Sequence, residues 1–412
     1  MSGLKYLEKL LDGAEVEWLP LGNITEYEQP TKYLVKEKNY SDDFDTPVLT
    51  AGKTFILGYT DEIEGIYKGS REPVIIFDDF TTASKWVDFD FKVKSSAMKM
   101  ISSADDDRFL IKYIYYWLNT LKSELVEGDH KRHWISSYSR KTIPIPCPKD
   151  SKKSREIQSQ IVCILDTFTS LKAELTSELK ARKKQYSYYR DQLLRFEEAE
   201  VEWKPLGEIG EFTRGKRFTK ADYVDDGIDA IHYGEIYTQY GVATENALSK
   251  VDVEKAGSLR FAEKGDVILT AVGETVEDVG KAVAWLGTGR VAFHDDSYSF
   301  RHSMNPKFIS YCMQTESFVA DKAKYVSRGK VKRLSIQGIS KVRIPVPWPN
   351  NRQKSLSEQE RIVGILDKFD ELTYSADSGL PREIELRQKQ YEYYRDLLLD
   401  FSRLEEAADL HG

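Results

Sequence analysis

The sequence predicts an α+β chain with a pseudo-two-fold internal repeat, in which two globular domains are separated by long antiparallel helices paired as a coiled coil. Three observations predict this. Four sequence blocks occur twice, in the same order. The stretches between them mix strand-like and helix-like runs. The last block of each copy carries apolar residues at helical spacing.

Glu15-Val-Glu-Trp-Leu-Pro-Leu-Gly-Asn-Ile24 returns as Glu200-Val-Glu-Trp-Lys-Pro-Leu-Gly-Glu-Ile209. Ile143-Pro-Ile-Pro-Cys-Pro148 returns as Ile344-Pro-Val-Pro-Trp-Pro349. Ile161-Val-Cys-Ile-Leu-Asp-Thr-Phe168 returns as Ile362-Val-Gly-Ile-Leu-Asp-Lys-Phe369. Arg182-Lys-Lys-Gln-Tyr-Ser-Tyr-Tyr-Arg-Asp returns at Arg387, with Gln and Glu replacing Lys and Ser. Chance does not give four blocks in register. The expected domains are a first head at 1–147, a helical spacer at 148–199, a second head at 200–348 and a second spacer at 349–412. Drift after duplication would blur frame and filling alike. A kept frame with changed filling suggests one scaffold holding two different readers.

The spacers read as helices. Ile161, Ile164, Phe168, Leu171, Leu175 and Leu179, then Tyr186, Tyr189, Leu193 and Phe196, follow steps of three and four. Ile362, Ile365, Phe369 and Leu372, then Tyr391, Tyr394, Leu398 and Phe401, form the second seam. Leu171, Leu175 and Leu179 make a stutter that locally unwinds a supercoil. It coincides with a tandem, Lys172-Ala-Glu-Leu175 then Thr176-Ser-Glu-Leu179. Ser378-Gly-Leu-Pro381 predicts a break, with Gly ending one helix and Pro opening the next. The Pro-rich blocks are stiff extended exits into the helices. A helix of about 40 residues is about 60 Å long, so a dumbbell with heads roughly one or more DNA turns apart is expected. Within the heads, Val74–Phe77, Trp86–Val93, Asp266–Thr270, Lys281–Trp285 and Val291–Phe293 read as strands. Phe109–Leu121 and Pro306–Thr315 read as helices.

The 412 residues are 41% hydrophobic and 31% charged, enough apolar side chain for folded cores. No apolar run approaches the roughly 20 residues of a membrane span, and the N-terminus has no apolar signal core. Cys147, Cys163 and Cys312 imply neither a disulfide framework nor a cysteine-based zinc site, and a cytoplasmic protein is expected. A net charge of −7 argues against a polycationic coat for nucleic acid but allows local basic patches.

No catalytic centre is visible. Gly210-Glu-Phe-Thr-Arg-Gly-Lys216 has half of a phosphate loop, but Arg217 stands where Ser or Thr must hold magnesium. Ala51-Gly-Lys-Thr54 lacks the first glycine, with Pro47 in its place. His130 and His133 form only a weak pair, and no metal site is expected.

Basic loops are visible. Arg214, Lys216, Arg217 and Lys220 cluster at the start of the second head, and Arg328, Lys330, Lys332 and Arg333 near its end. Such runs suit phosphate contact. Between them, Tyr233, His294, Ser297 and Arg301 are candidates to read base edges. In the first head the softer candidates are Lys53, Thr54, Lys85, Lys94 and Lys99.

The doubled frame resembles the specificity subunit of type I restriction–modification systems, over essentially the whole chain. The resemblance implies two target-recognition domains, each reading one half of a split site in double-stranded DNA. It implies two modification (methyltransferase) subunits docked on the helices, here expected around Ile161, Phe168, Tyr186, Tyr189, Ile362, Phe369, Tyr391 and Tyr394. It also implies restriction (endonuclease/translocase) subunits. S-adenosylmethionine, ATP and magnesium are expected on those partners, with no cofactor and no catalysis on this chain. Asp370, Glu371, Glu383, Glu385 and Glu392 make the second spacer acidic, a face suited to protein rather than DNA. The competing reading is a two-headed coiled-coil adaptor without DNA binding.

Overall fold

The computed structural model describes residues 15–36, 39–52, 54–121, 133–196, 201–375 and 378–401. Packing groups the chain into two compact units. The first comprises residues up to Glu174 together with those from Glu385 onward, and the second runs from Leu175 to Ile384. These units follow packing, and so cut across the four consecutive segments expected from sequence. The 43-residue helix Ser151–Leu193 contributes its first part to one unit and its last part to the other.

Both units are built on the same frame. Val16–Pro20 pairs antiparallel with Thr142–Pro146, and Val201–Pro205 with Arg343–Pro347. The register is the same in both: Trp18 faces Pro144, and Trp203 faces Pro345. Proline cannot donate to a ladder, which restricts it to ribbons with an open edge. These two-stranded ribbons supply one. After each ribbon the chain passes through a left-handed residue, Cys147 at φ 49° and Trp348 at φ 48°. Asp150 and Asn351 then accept the backbone N–H of Lys153 and Lys354 at 3.0 Å, capping the helices that follow.

A duplicated polar clamp ties each head to its helix. In the first unit Lys112 Nζ lies 2.9 Å from Asp166, and Tyr116 donates its hydroxyl to the same carboxylate at 2.5 Å. In the second unit Lys307 and Tyr311 do the same to Asp367, at 2.9 and 2.7 Å. Gln158 accepts the N–H of Leu110, and Gln359 that of Asn305, both at 2.8 Å.

The filling differs between the heads. The first has a four-stranded sheet in the order 25–28, 98–103, 74–78, 84–87 and a three-stranded sheet in the order 56–60, 46–49, 92–93. The second has a five-stranded sheet in the order 210–214, 297–302, 267–270, 282–285, 243–244. Beside it stand a four-stranded sheet and the short pair Val272–Gly273 with Lys332–Arg333. The expected strand Trp86–Val93 is split into Ser84–Val87 and Lys92–Val93, which belong to different sheets, with the buried Phe91 between them bridged to Tyr67. The expected helix Pro306–Thr315 is Pro306–Cys312, since Thr315 caps a separate helix, Glu316–Ala323.

Each unit contains an antiparallel helix seam. In the first, Phe168 stacks on Tyr394 at 5.2 Å, and Lys172 donates to Gln388 at 2.6 Å. In the second, Phe369 stacks on Tyr189 at 5.8 Å, and Tyr186 meets Tyr374 edge-on. The expected break falls where predicted. Helix Arg352–Tyr374 ends and Gly379–Leu399 begins, with Gly379 at φ 72°. A Cβ there would lie 2.6 Å from the carbonyl oxygen of Glu371.

One frame position departs from the symmetry. Thr169, beside the Asp166 clamp, is replaced in the second copy by Asp370. Burial, then the neighbouring Asp367 charge, pushes the Asp370 carboxyl up to about 6, against the pull of Lys307. A carboxyl raised on folding contributes no penalty below its unfolded value near 3.8 and its full penalty above about 6. Asp370→Asn should therefore stabilise the chain by about 1–3 kcal/mol at pH 7.5 and by almost nothing at pH 4. Thermal unfolding at the two pH values checks this. An equal effect at both would remove the charge explanation.

Candidate nucleic-acid interface

The two basic runs of the second head meet on one turn. Strand Gly210–Arg214 ends at Arg214, whose Nε donates to the Asp295 carbonyl at 2.8 Å. Arg214 Nη2 also stands 3.8 Å from the Asp295 carboxylate. Arg333, from the distant end of the head, stands 3.8 Å from the Asp296 carboxylate. Antiparallel pairing of Lys332–Arg333 with Val272–Gly273 holds that second run in place. Gly215 allows the first run to approach, because a Cβ there would lie 2.1 Å from the His294 carbonyl. Lys216, Arg217, Lys220, Arg328 and Lys330 are exposed and make no ion pair among the described residues. Lys332 is half-buried. A face of free cations around a fixed turn attracts phosphate at little cost in rearrangement.

Inside that rim lies a cleft lined by Arg217, Phe218, Thr219, His232, Tyr233, His294, Asp295 and Asp296. Phe218 is its buried aromatic floor, 5.2 Å from the His294 ring. His232 and His294 lie 4.7 Å apart, and Tyr233 packs 4.4 Å from His232. His232 caps the helix Tyr233–Thr238, with Nδ1 accepting the Gly234 N–H, and Glu235 accepts the His232 N–H in return. Burial, then the His294 ring, lowers the pKa of His232. The sequence reading missed Phe218 and His232. The His-x-x-Glu capping pattern before Tyr233 was the available signal.

Other candidates are placed differently. Ser297 is fully buried, so its hydroxyl faces the interior instead of DNA. Arg301 holds Asp266 through two hydrogen bonds of 3.0 and 2.8 Å and braces the Glu263–Asp266 turn. In the first head Lys99 is buried, 3.9 Å from Asp79 and over the Tyr27 ring, so it too points inward. Lys94 lies over Tyr40, and Lys85 shares a cleft with the loop that carries Thr54. Lys53 lies outside the described residues, as does His130 of the weak histidine pair.

The helix positions expected to meet partner subunits are largely used within the chain. Ile161, Tyr186 and Ile362 are buried in its cores. Phe168, Tyr189, Phe369 and Tyr394 stack in the seams, and Tyr391 packs near Tyr116. The helices spend their apolar stripe on one another and on the heads. Their outward faces carry Tyr188 and Tyr393, equivalent residues that are each 61% exposed.

His294, Asp295 and Asp296 have ligand atoms within 4.8 Å of one another. Arg214 and Arg333 stand beside both carboxylates, and His294 Nδ1 accepts the Asp296 N–H at 3.1 Å. The group therefore reads as a hydrogen-bonding array rather than a cation site. No helix among the described residues is long and apolar enough to cross a membrane.

The family described as "Type I restriction modification DNA specificity domain" matches residues 14–182 and 198–386, once in each copy. The chain is 51% identical to the type I restriction enzyme EcoR124I/EcoR124II specificity subunit of Escherichia coli, over 99% of this chain and 100% of that one. It is 30% identical to a putative type I restriction enzyme specificity subunit of Haemophilus influenzae, over 96% and 98% of the two chains. Its fold is similar to the crystal structure of a type I S subunit from M. genitalium, with a TM-score of 0.52 at 16% identity and 94% and 97% coverage. The doubled frame, the two unlike heads and these likenesses agree: the chain belongs to the type I restriction–modification DNA specificity family, as a non-catalytic specificity subunit whose two domains recognise the DNA target.

Proposed function

We propose that each head reads one half of a split DNA site, and that the helices dock two modification subunits and set the distance between the half-sites. The observation that carries this reading is the meeting of two basic runs at Asp295 and Asp296. The reading is supported by exposed cations set around a cleft lined with hydrogen-bonding side chains. In this reading restriction subunits join the assembled complex, which works in the cytoplasm. The partners hold S-adenosylmethionine, ATP and magnesium. An adaptor without DNA binding has no use for that arrangement.

The exposed tyrosines suggest where modification subunits dock. A core explains identity between the copies at buried positions. It does not explain identity at Tyr188 and Tyr393, each set edge-on against its neighbouring tyrosine. A partner bound once per copy does explain it. Tyr188→Ala and Tyr393→Ala should each lower the number of modification subunits bound at limiting concentration from two to one. Mass measurement of the complex checks this, and two retained subunits in both variants would reject the contact.

The DNA face has its own test. Lys216→Ala, Arg217→Ala or Lys330→Ala in the assembled complex should weaken binding across all sequences and flatten the salt dependence by about one unit each. Unchanged slopes for all three would place DNA on another face.

Spacing is tested at the tandem tetrad, which lies within the helix Ser151–Leu193. One more tetrad after Leu179 adds about 6 Å and rotates the far end by about 40°. A base pair adds about 3.4 Å and about 35°. The rotation nearly matches one pair, and slight bending takes up the extra length. Methylation mapping of the insertion variant should show a gap longer by one pair between unchanged half-sites. An unchanged gap would show that the tetrad is not the ruler.

A further inference from the structure

The cleft of the second head offers a specific pattern of hydrogen-bonding groups. His232 Nδ1 accepts the Gly234 N–H, so its proton sits on Nε2. His294 Nδ1 accepts the Asp296 N–H, which likewise places its proton on Nε2. Asp295 Oδ1 stands 3.3 Å from the same His294 nitrogen and would share a proton there only with a charged ring. Both histidines line the cleft, and neither Nε2 is engaged among the described residues. His294 is 8% exposed as a residue, yet its Nε2 is not among the buried unpartnered atoms, so this donor is reached from the cleft. The two donor rings are neighbours, 4.7 Å between centroids. Next to them stand two acceptors, the carboxylates of Asp295 and Asp296.

A phosphate would meet the histidine donors but also both carboxylates, which repel it. The basic rim outside the cleft is the better place for phosphate. A base pair is different, because its major-groove edge mixes acceptors with an amino donor. Guanine presents N7 and O6 side by side, and the paired cytosine follows with its amino group. An A·T pair separates its two acceptors by the adenine amino group. Two neighbouring donors followed by carboxylates match the first order and not the second.

We propose that this cleft receives the major-groove edge of one G·C pair in the second half-site. His232 and His294 donate to guanine N7 and O6, and the Asp295–Asp296 turn accepts from the cytosine amino group. The proposal rests on the reading of the second head as a DNA reader. Phe218 fixes the His294 ring from behind, and the capping box at His232 fixes the other ring, so both donors are set before DNA arrives. Arg214 and Arg333 balance the carboxylates in the free chain and stand near enough to turn to phosphates once the carboxylates engage an amino group.

The test uses the chain assembled with its modification subunits and a duplex carrying the target mapped for that complex. Each guanine of the second half-site is replaced in turn by 7-deazaguanine, which removes the N7 acceptor and keeps pairing. One position should weaken binding about tenfold or more. In His294→Ala and His232→Ala complexes the natural duplex should bind more weakly, and in the variant that loses the donor to N7 replacement at that same position should no longer matter. Asp296→Asn, which leaves both rings in place, should relax the requirement for cytosine at the paired position in methylation maps. The first half-site and the gap should be unchanged. If no guanine in the second half-site is sensitive, or if sensitivity persists in both histidine variants, the proposal fails. A loss that is uniform across sequences, with a flatter salt dependence, would make the cleft a phosphate site and also overturn it. In each of these failures the wild-type complex still binds its target, so the reading of the head as a DNA reader stands. Loss of that reading would appear separately, as no specific binding by the wild-type complex.

Discussion

The rest of the structure depends on a helix seam that neither copy completes alone. Phe168 comes from the first copy and stacks on Tyr394 from the second, while Phe369 of the second copy stacks on Tyr189 of the first. Each stack is worth about 0.5–1.5 kcal/mol beyond its buried area and fixes the axial register of its helix pair. A change on one side must fit a residue encoded in the other copy. That coupling resists drift, and it accounts for a frame that stays doubled while the heads diverge. The first core accordingly takes in Leu398, Leu399 and Phe401, and the second takes in Tyr186 and Leu194.

The clamp at the base of each head extends the same constraint. A carboxylate on the long helix, Asp166 or Asp367, accepts from a lysine and a tyrosine of the short helix Ile111–Leu118 or Pro306–Cys312. Charge-assisted bonds of this kind are directional as well as strong. They orient a head through one helix and leave its sheets free to change. The first head spends that freedom on a four-stranded and a three-stranded sheet, and the second on five-stranded and four-stranded sheets. Shared registers in the ribbons and unlike topologies beyond them show where the frame stops.

Much of the frame was legible because its signals are local. Apolar steps of three and four, proline pairs and the Gly-Leu-Pro break each report on a few neighbouring residues. The helix break and the strands Val74–Asp78 and Val291–Phe293 followed from them. The site was less legible because its geometry is not local. Charge patterning picked out Arg214 and Arg333 but could not show that adjacent aspartates would bring them together. Ser297 and Arg301 sit on a strand whose alternation and pairing decide which side faces the core. A single run of polar residues does not show that Ser297 turns inward or that Arg301 is taken by Asp266. Ile161, Tyr186 and Ile362 show the same limit: their spacing marks an apolar seam on helices expected to dock partners, but not that the heads cover them as well.

On the proposed reading, the acidic turn within a basic face carries the logic of specificity. Cations alone bind any duplex, since every sequence offers the same phosphates. Carboxylates in the middle of such a face make approach unfavourable unless something on the DNA replaces the arginines that now balance them. Only a base edge with an amino donor in the right place does so. In that reading attraction comes from the exposed rim of Lys216, Arg217 and Lys330, which is indifferent to sequence. Rejection comes from Asp295 and Asp296, which is not. Separating the two lets the rim change overall affinity without changing the target. It also lets the cleft change the target while the frame, the clamps and the seam remain as they are.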